Sequence, residues 1–121
     1  MRALFDTNIL VDYLNGIAKA RSEIEIFPER AISVISWAET MVGARGQEEE
    51  GTIQGFLADF SVVEVDLEIA REAVSLRRGR RLRLPDALIW ATARLQGAVL
   101  VTRNTKDFPK KDPGIRVPYV L

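Results

Sequence analysis

The stretch from Ala87 to Thr102, ALIWATARLQGAVLVT, joins two hydrophobic patterns of different kinds. Its first ten residues form a strongly apolar helical segment, which Gly97 ends. Ala98 to Thr102 is then a short apolar run typical of a buried strand. Pro85 occupies the position that proline favours in the first turn of such a helix. A helix that leads directly into a buried strand is typical of an α/β protein with a parallel sheet.

The same alternation of strands and helices recurs along the chain. Strands are predicted at residues 3–5, 31–35, 61–65 and 98–102, with a short final strand at 115–117. Helices are predicted at residues 9–14, 17–27, 36–42, 52–60, 67–78 and 85–96. We therefore predict a three-layer α/β/α sandwich around a mostly parallel sheet of four to five strands. At 121 residues, the chain is predicted to form a single domain over residues 1–121.

The composition excludes several kinds of chemistry. The formal net charge is zero, so any contact with nucleic acid must use a local basic patch. The chain has no Cys and no His, which excludes disulfides, thiol nucleophiles, Ser-His-Asp triads and His-ligated zinc. Carboxylates remain, and they suit hard cations such as Mg²⁺ or Mn²⁺. Because no apolar stretch resembles a signal peptide or a membrane span, we expect a cytoplasmic protein without membrane contact.

Three of four candidate acids lie near the carboxyl ends of predicted strands, where ligands bind in open parallel sheets. Asp6 directly follows the first strand, Glu39 lies one helical turn after the second, and Asp107 comes a few residues after the fourth. Asp86 begins the helix that feeds the fourth strand, so spacing alone does not place it at the same edge. The segment 80–84 would have to bring it there.

Each acid also has a purely structural interpretation. Asp6 fits a helix N-cap, and Ser36 with Glu39 fits a capping box. Asp86 after a proline is an ordinary first-turn acid, favoured by the helix dipole. Asp107 in a polar turn would simply be solvated.

If these carboxylates converge, they repel one another when no cation is bound. The pKa of at least one of them should therefore be raised in the metal-free protein.

Four sequence blocks together resemble the PIN-domain ribonucleases. They are Leu4–Val11 (LFDTNILV), Ser36–Glu39 (SWAE), Leu84–Ile89 (LPDALI) and Leu100–Phe108 (LVTRNTKDF). Their order and spacing are similar to those of the VapC toxins of bacterial and archaeal toxin–antitoxin pairs. The resemblance covers residues 4–108, nearly the whole chain.

The resemblance implies a metal-dependent endoribonuclease that leaves a 5′-phosphate and a 3′-hydroxyl. Its acidic cluster would consist of Asp6, Glu39, Asp86 and Asp107. The resemblance also implies a VapB-type antitoxin as partner, and a homodimer or a larger toxin–antitoxin assembly. One position departs from the pattern, because many relatives have an acid where this chain has Asn104. Others rely on the acid three residues later, here Asp107.

Each residue of the cluster can be given a role. Because Mg²⁺ usually takes one or two carboxylates and keeps several waters, Asp6 and Asp86 are predicted as its direct ligands. Glu39 and Asp107 would hold metal-bound waters or a second ion. Predicted to orient the carboxylates or contact substrate are Thr7, Asn8, Thr102 and Asn104. Capping and turn hydrogen bonds are the alternative for these side chains.

Residues 77–83 contain five arginines directly before Asp86. An acidic cluster repels RNA phosphates, so a ribonuclease needs a basic rim beside it. The predicted phosphate contacts are Arg80, Arg81 and Arg103. The alternative is a solvated loop without a role in binding.

Three other functions remain open from the sequence. The chain could be a PIN nuclease that processes RNA as a housekeeping enzyme, or an RNA-binding module without activity. A phosphatase with Asp6 as nucleophile is the third. Such enzymes usually have a second Asp two residues later, where this chain has Asn8.

Overall fold

A sheet of five strands lies at the centre of the structure, a computed structural model that describes residues 1–121. The strands are β1 (Arg2–Phe5), β2 (Glu29–Ser33), β3 (Ser61–Val63), β4 (Val99–Val101) and β5 (Ile115–Arg116). The helices are α1 (Thr7–Leu14), α2 (Ala18–Glu25), α3 (Val34–Val42), α4 (Gln47–Leu57), α5 (Leu67–Arg77) and α6 (Leu84–Leu95). All of them are too short or too polar to traverse a bilayer.

The strand order is β3-β2-β1-β4-β5, and every neighbouring pair is parallel. The chain builds outward from β1 through β2 to β3, and then crosses to the other side of β1 to form β4 and β5. The order of strands therefore reverses between β1 and β4. In open α/β sheets, the crevice beyond the carboxyl ends of such a pair of strands is where ligands bind.

Successive side chains of each strand point to opposite faces of the sheet. Leu4 of β1 and Leu100 of β4 belong to one core cluster, which α5 and α6 cover. Phe5 and Val101, the residues that follow them, belong to a second cluster, which α1, α2 and α4 cover. The predicted three-layer α/β/α sandwich is confirmed. Continuous apolar runs form its strands because both faces of the sheet are buried.

Several predicted boundaries are wrong. The second strand ends at Ser33 rather than Ile35, and α3 begins at Val34 rather than Ser36. Ser33 Oγ accepts the backbone N–H of Ile35 at 3.1 Å, so this N-cap overrides the β propensity of the two residues after it. The helix predicted from residue 52 instead begins at Gln47, because the acidic residues 48–50 stabilise its first turn.

Candidate active site

Asp6 lies in the crevice between β1 and β4, and its side chain is almost fully buried. Its Oδ1 accepts the backbone N–H of Thr7 at 2.8 Å, which confirms the predicted N-cap of α1. Its Oδ2 accepts the hydroxyl of Thr102 at 2.7 Å and the side-chain amide of Asn8 at 3.2 Å. Two residues of α1 and the residue that follows β4 thus fix the orientation of this carboxylate.

Burial raises the pKa of Asp6 from its ordinary value of 3.8 to about 6. The hydrogen bonds from Thr102 and Thr7 oppose this rise, whereas the nearby charges of Asp86 and Glu39 add to it. The prediction that a clustered acid has a raised pKa is confirmed. Its main cause is the loss of water around the carboxylate, and repulsion between acids is secondary.

Glu39 lies on α3 at the exposed rim of the site. Thr7 Oγ1 is 2.7 Å from Glu39 Oε1 and 2.9 Å from Ser36 Oγ. Because an ionised carboxylate only accepts, the Thr7 hydroxyl donates to Glu39 and accepts from the buried Ser36. The predicted capping box of Ser36 and Glu39 is wrong, since Ser33 caps α3 and Ser36 lies within the helix.

Asp86 is a buried first-turn residue of α6, as its alternative interpretation predicted. Since α6 precedes the parallel strand β4, the start of α6 lies at the edge of the sheet where β1 ends. Arg83 Nε donates to Asp86 Oδ2 at 3.2 Å. Burial raises the pKa of Asp86, and the charge of Arg83 lowers it in part.

Asn104 and Asp107 form a turn after β4 that holds them side by side. Asn104 Nδ2 donates to Asp107 Oδ2 at 3.0 Å, and Asn104 Oδ1 accepts the backbone N–H of Asp107 at 3.1 Å. The backbone N–H of Asn104 in turn donates to Thr102 Oγ1 at 3.0 Å. The hydroxyl that orients Asp6 is therefore tied to the turn that holds the fourth acid.

Three of the four predicted acids line one cavity of about 320 Å³. The full lining consists of Asp6, Thr7, Asn8, Val11, Asp12, Glu39, Arg83, Asp86, Arg103 and Asn104. Asp107 lies outside it, in a neighbouring groove, although its charge still raises the pKa of Asp86. The structure therefore brings Asp6, Glu39 and Asp86 together in one cavity. Asn104, rather than the fourth predicted acid Asp107, lines the same cavity.

The donor set of this cavity fits a hard divalent cation. Carboxylate, hydroxyl and amide oxygens line it, and the chain has neither the thiolates nor the imidazoles that softer metals prefer. No three acidic side chains stand close enough together to form a ready-made ligand group. Mg²⁺ needs only one or two carboxylates because it retains several waters. A pair of acids with oriented neighbours is therefore sufficient.

The three predicted phosphate contacts have different surroundings. Arg80 donates to the backbone oxygen of Leu76 at 3.0 Å, and its guanidinium lies 5.3 Å from the centre of the Trp90 ring. Arg103 forms two hydrogen bonds to Asp12, at 2.7 and 2.9 Å. Arg81 is exposed in the groove beside Asp107. Two of these arginines thus stabilise the fold around the site, and Arg81 is free to bind a ligand.

The sequence did not reveal the hydrogen-bond network of Asp12, Arg103 and Tyr119 at one wall of the cavity. Asp12 is 5% exposed and accepts both Arg103 and the hydroxyl of Tyr119, the latter at 2.8 Å. The charge of Arg103 and these hydrogen bonds lower the pKa of Asp12, against the effect of burial. The backbone N–H of Arg103 donates to Asn8 Oδ1 at 3.2 Å, which links the network to the side chain that orients Asp6.

The fold and the acidic cavity are those of a known protein family. The sequence profile of the PIN domain matches residues 3–112. The chain therefore belongs to the PIN domain family.

Similar proteins show which group within the PIN domain family the chain belongs to. The ribonuclease VapC10 of Mycobacterium tuberculosis is 35% identical over 114 residues, which cover 88% of this chain and 85% of the relative. A toxin–antitoxin complex from Klebsiella pneumoniae contains a chain that is 44% identical, with a TM-score of 0.92 and coverage of 98% and 99%. A chain of VapBC2 from Rickettsia felis, bound to a DNA fragment from its promoter, is 26% identical, with a TM-score of 0.79 and coverage of 95% and 96%. Within the PIN domain family, the chain is a VapC-type ribonuclease, and such ribonucleases depend on divalent metals.

Proposed function

We propose that Asp6 and Asp86 hold Mg²⁺, with Mn²⁺ as an alternative ion, and that the chain uses this site to hydrolyse RNA phosphodiester bonds. The observation that supports the proposal most strongly is the buried carboxylate of Asp6, whose pKa is raised to about 6 in a cavity that it shares with Glu39 and Asp86. A bound divalent cation offsets the free-energy cost of that buried charge.

When bound, the ion would supply a water of lowered pKa and positive charge beside the phosphate. The protein groups then have separate tasks. Thr102, Asn8 and the Thr7 backbone hold the Asp6 carboxylate in one orientation. Glu39 is exposed and held by the Thr7 hydroxyl, so we assign it to orient the attacking water and accept its proton. Asn104 adds an amide to the rim of the cavity, and its side chain donates to Asp107 in the neighbouring groove.

Thr102→Val tests whether the hydroxyl acts through Asp6. Because valine has nearly the same shape but cannot donate to Oδ2, we expect Mn²⁺ to bind about 10- to 100-fold more weakly at neutral pH. Titration calorimetry on the metal-free protein measures the affinity. Thr92→Val is the matched control, since Thr92 is also fully buried but donates to the backbone oxygen of Leu88 within α6. Equal Mn²⁺ affinity of the two variants would refute this role of Thr102.

A groove with basic side chains lies next to the acidic cavity and could bind phosphates of the substrate. Arg81 and Lys106 are exposed and line a groove of about 380 Å³ together with Asp107. Phosphate groups of the RNA on either side of the cleaved bond would lie in this groove, where the two cations offset repulsion by the acidic cavity. We therefore assign Arg81 and Lys106 as the phosphate contacts, with Arg80 and Arg103 supporting the walls.

Charge reversal tests that groove. We expect Arg81→Glu combined with Lys106→Glu to weaken RNA binding and to reduce the slope of log affinity against log salt by about 1 to 2. Fluorescence anisotropy in chelator measures binding without cleavage. Lys110→Glu with Lys111→Glu makes the same change of charge at exposed residues outside the groove lining. If both double variants alter the slope equally, the groove has no particular role.

The similar structures also indicate a regulatory partner. Both chains reported above come from toxin–antitoxin complexes, and one of those complexes is bound to promoter DNA. We propose that this chain is held by a VapB-type antitoxin, and that it forms a homodimer within the complex. Free of the antitoxin, it would act as a toxin by cleaving cellular RNA.

Induced expression with mapping of RNA 5′ ends tests the proposed function. We expect new 5′-phosphate ends and growth arrest with the wild type, and neither with Asp6→Asn. Asp59→Asn, a change at an exposed acid after α4, should behave as the wild type. New ends without growth arrest would instead indicate a housekeeping RNA-processing enzyme. Identical RNA profiles for all three proteins would refute a ribonuclease.

A further inference from the structure

The guanidinium of Arg83 lies beside Asp86, one of the two proposed metal ligands. Arg83 immediately precedes α6, lines the cavity, and places Nε 3.2 Å from Asp86 Oδ2. The two partners are unequal, because the side chain of Arg83 is 75% exposed and that of Asp86 is 9% exposed. The carboxylate is therefore buried, whereas the guanidinium is exposed and can leave without disturbing the core.

Three other arginines near the site have partners that keep them in place, whereas Arg81 is exposed in the neighbouring groove. Arg77 donates to the backbone oxygen of Leu82 at 2.8 Å, Arg80 donates to that of Leu76, and Arg103 is paired with Asp12. Arg83 instead has a proposed metal ligand as its hydrogen-bond partner. Asp86, Glu39 and Asp107 all raise the pKa of Arg83, so it lies in the electric field of three of the four acids.

We propose that Arg83 is the counter-ion of the metal-free site, which a divalent cation displaces from Asp86, and which then binds a phosphate of the RNA. This inference rests on the proposed function, in which Asp86 is a metal ligand. A divalent cation and the guanidinium compete for the same carboxylate, because two cations placed side by side there repel each other. The released guanidinium remains at the wall of the cavity, where it can form a charge-assisted hydrogen bond with a phosphate of the substrate.

Arg83→Gln separates this role from a merely structural one. The variant no longer competes for Asp86, so we expect Mn²⁺ to bind about fivefold more tightly, as the modest strength of an exposed ion pair allows. At saturating Mn²⁺, the KM for RNA should rise because the phosphate contact is lost. Arg83→Lys, which keeps the charge, should stay close to the wild type in Mn²⁺ affinity. Calorimetry on the full metal-free chain and steady-state cleavage provide these two readouts.

The control is Arg78→Gln, which removes the same charge from an exposed residue of the same segment that does not line the cavity. Its Mn²⁺ affinity should match the wild type. The counter-ion role is overturned if Arg83→Gln binds Mn²⁺ no more tightly than Arg78→Gln. The proposed metal site still stands in that case, provided that the wild type binds one ion and Asp86→Asn does not. If the wild type binds no Mn²⁺, both fail together.

Discussion

Replacement of Asp6 by Asn is expected to lower the rate of RNA cleavage about 10³-fold at saturating Mg²⁺, the size of effect seen when a principal charge-stabilising group is removed. The amide can still accept the backbone N–H of Thr7, so the N-cap and the start of α1 persist. It has no negative charge, however, with which to hold a cation. Cleavage of a single-stranded RNA by the purified protein measures the effect.

The stability of the variant distinguishes the catalytic role from a purely structural one. The capping hypothesis alone predicts a loss of stability of about 1 kcal/mol or less for Asn in place of Asp, with cleavage retained. The metal-site proposal predicts that metal-free Asp6→Asn is as stable as the wild type at neutral pH or more stable, with cleavage lost. Asp66→Asn is the control, since Asp66 caps α5 with a side-chain hydrogen bond to Ile69 N and does not line the cavity.

The second large expected effect is that the free energy of unfolding of the metal-free protein depends on pH, because the buried carboxyl of Asp6 titrates. Its pKa is 3.8 ordinarily and about 6 in the fold, so the unfolded chain loses this proton first as the pH rises. The stabilising contribution of the protonated carboxyl is fully present below about pH 4 and is lost as the pH rises through about 6. Burying the ionised group then costs the fold about 3 kcal/mol at neutral pH.

Urea unfolding in chelator from pH 4 to pH 7.5 measures this effect. The free energy of unfolding of the wild type, minus that of Asp6→Asn, should fall by about 2.5 kcal/mol across the range, because part of the full effect lies below pH 4. Asp86 also has a raised pKa, but its contribution is common to both proteins and cancels in the difference. A difference that stays constant with pH would mean that the buried carboxyl is not destabilised. Excess Mg²⁺ should abolish the fall, because the bound ion favours the ionised form.

The sequence predicted the layers of the fold because local patterns determine them. Strands buried on both faces are continuous apolar runs, and the helix that ends at Gly97 is followed directly by one of them. The boundary at Ser33 was missed because a side-chain cap outweighed the β propensity of Val34 and Ile35. No pattern of hydrophobic residues contains that information.

The site was only partly predictable. Asp6 and Glu39 follow strands, so spacing brought them to the correct edge. Asp86 lies at the same edge because α6 precedes the parallel strand β4, which is a consequence of the topology rather than of spacing along the chain. The resemblance to PIN-domain ribonucleases pointed to Asp86 instead. The pairing of Asp12 with Tyr119 joins positions 107 residues apart, and such a contact leaves no local signature. The sequence could not distinguish Arg83, which forms the ion pair with Asp86, from the four other arginines of residues 77–83.

The location of the metal tests the central claim most directly. Crystals of the wild type soaked in Mn²⁺ give anomalous diffraction that locates the ion without reference to activity. We predict one strong peak between the carboxylates of Asp6 and Asp86, with Arg83 moved away from Asp86, and no such peak in crystals of Asp6→Asn. A peak elsewhere, or no peak in protein that still cleaves RNA when Mn²⁺ is present, would contradict the claim that these two acids hold the ion.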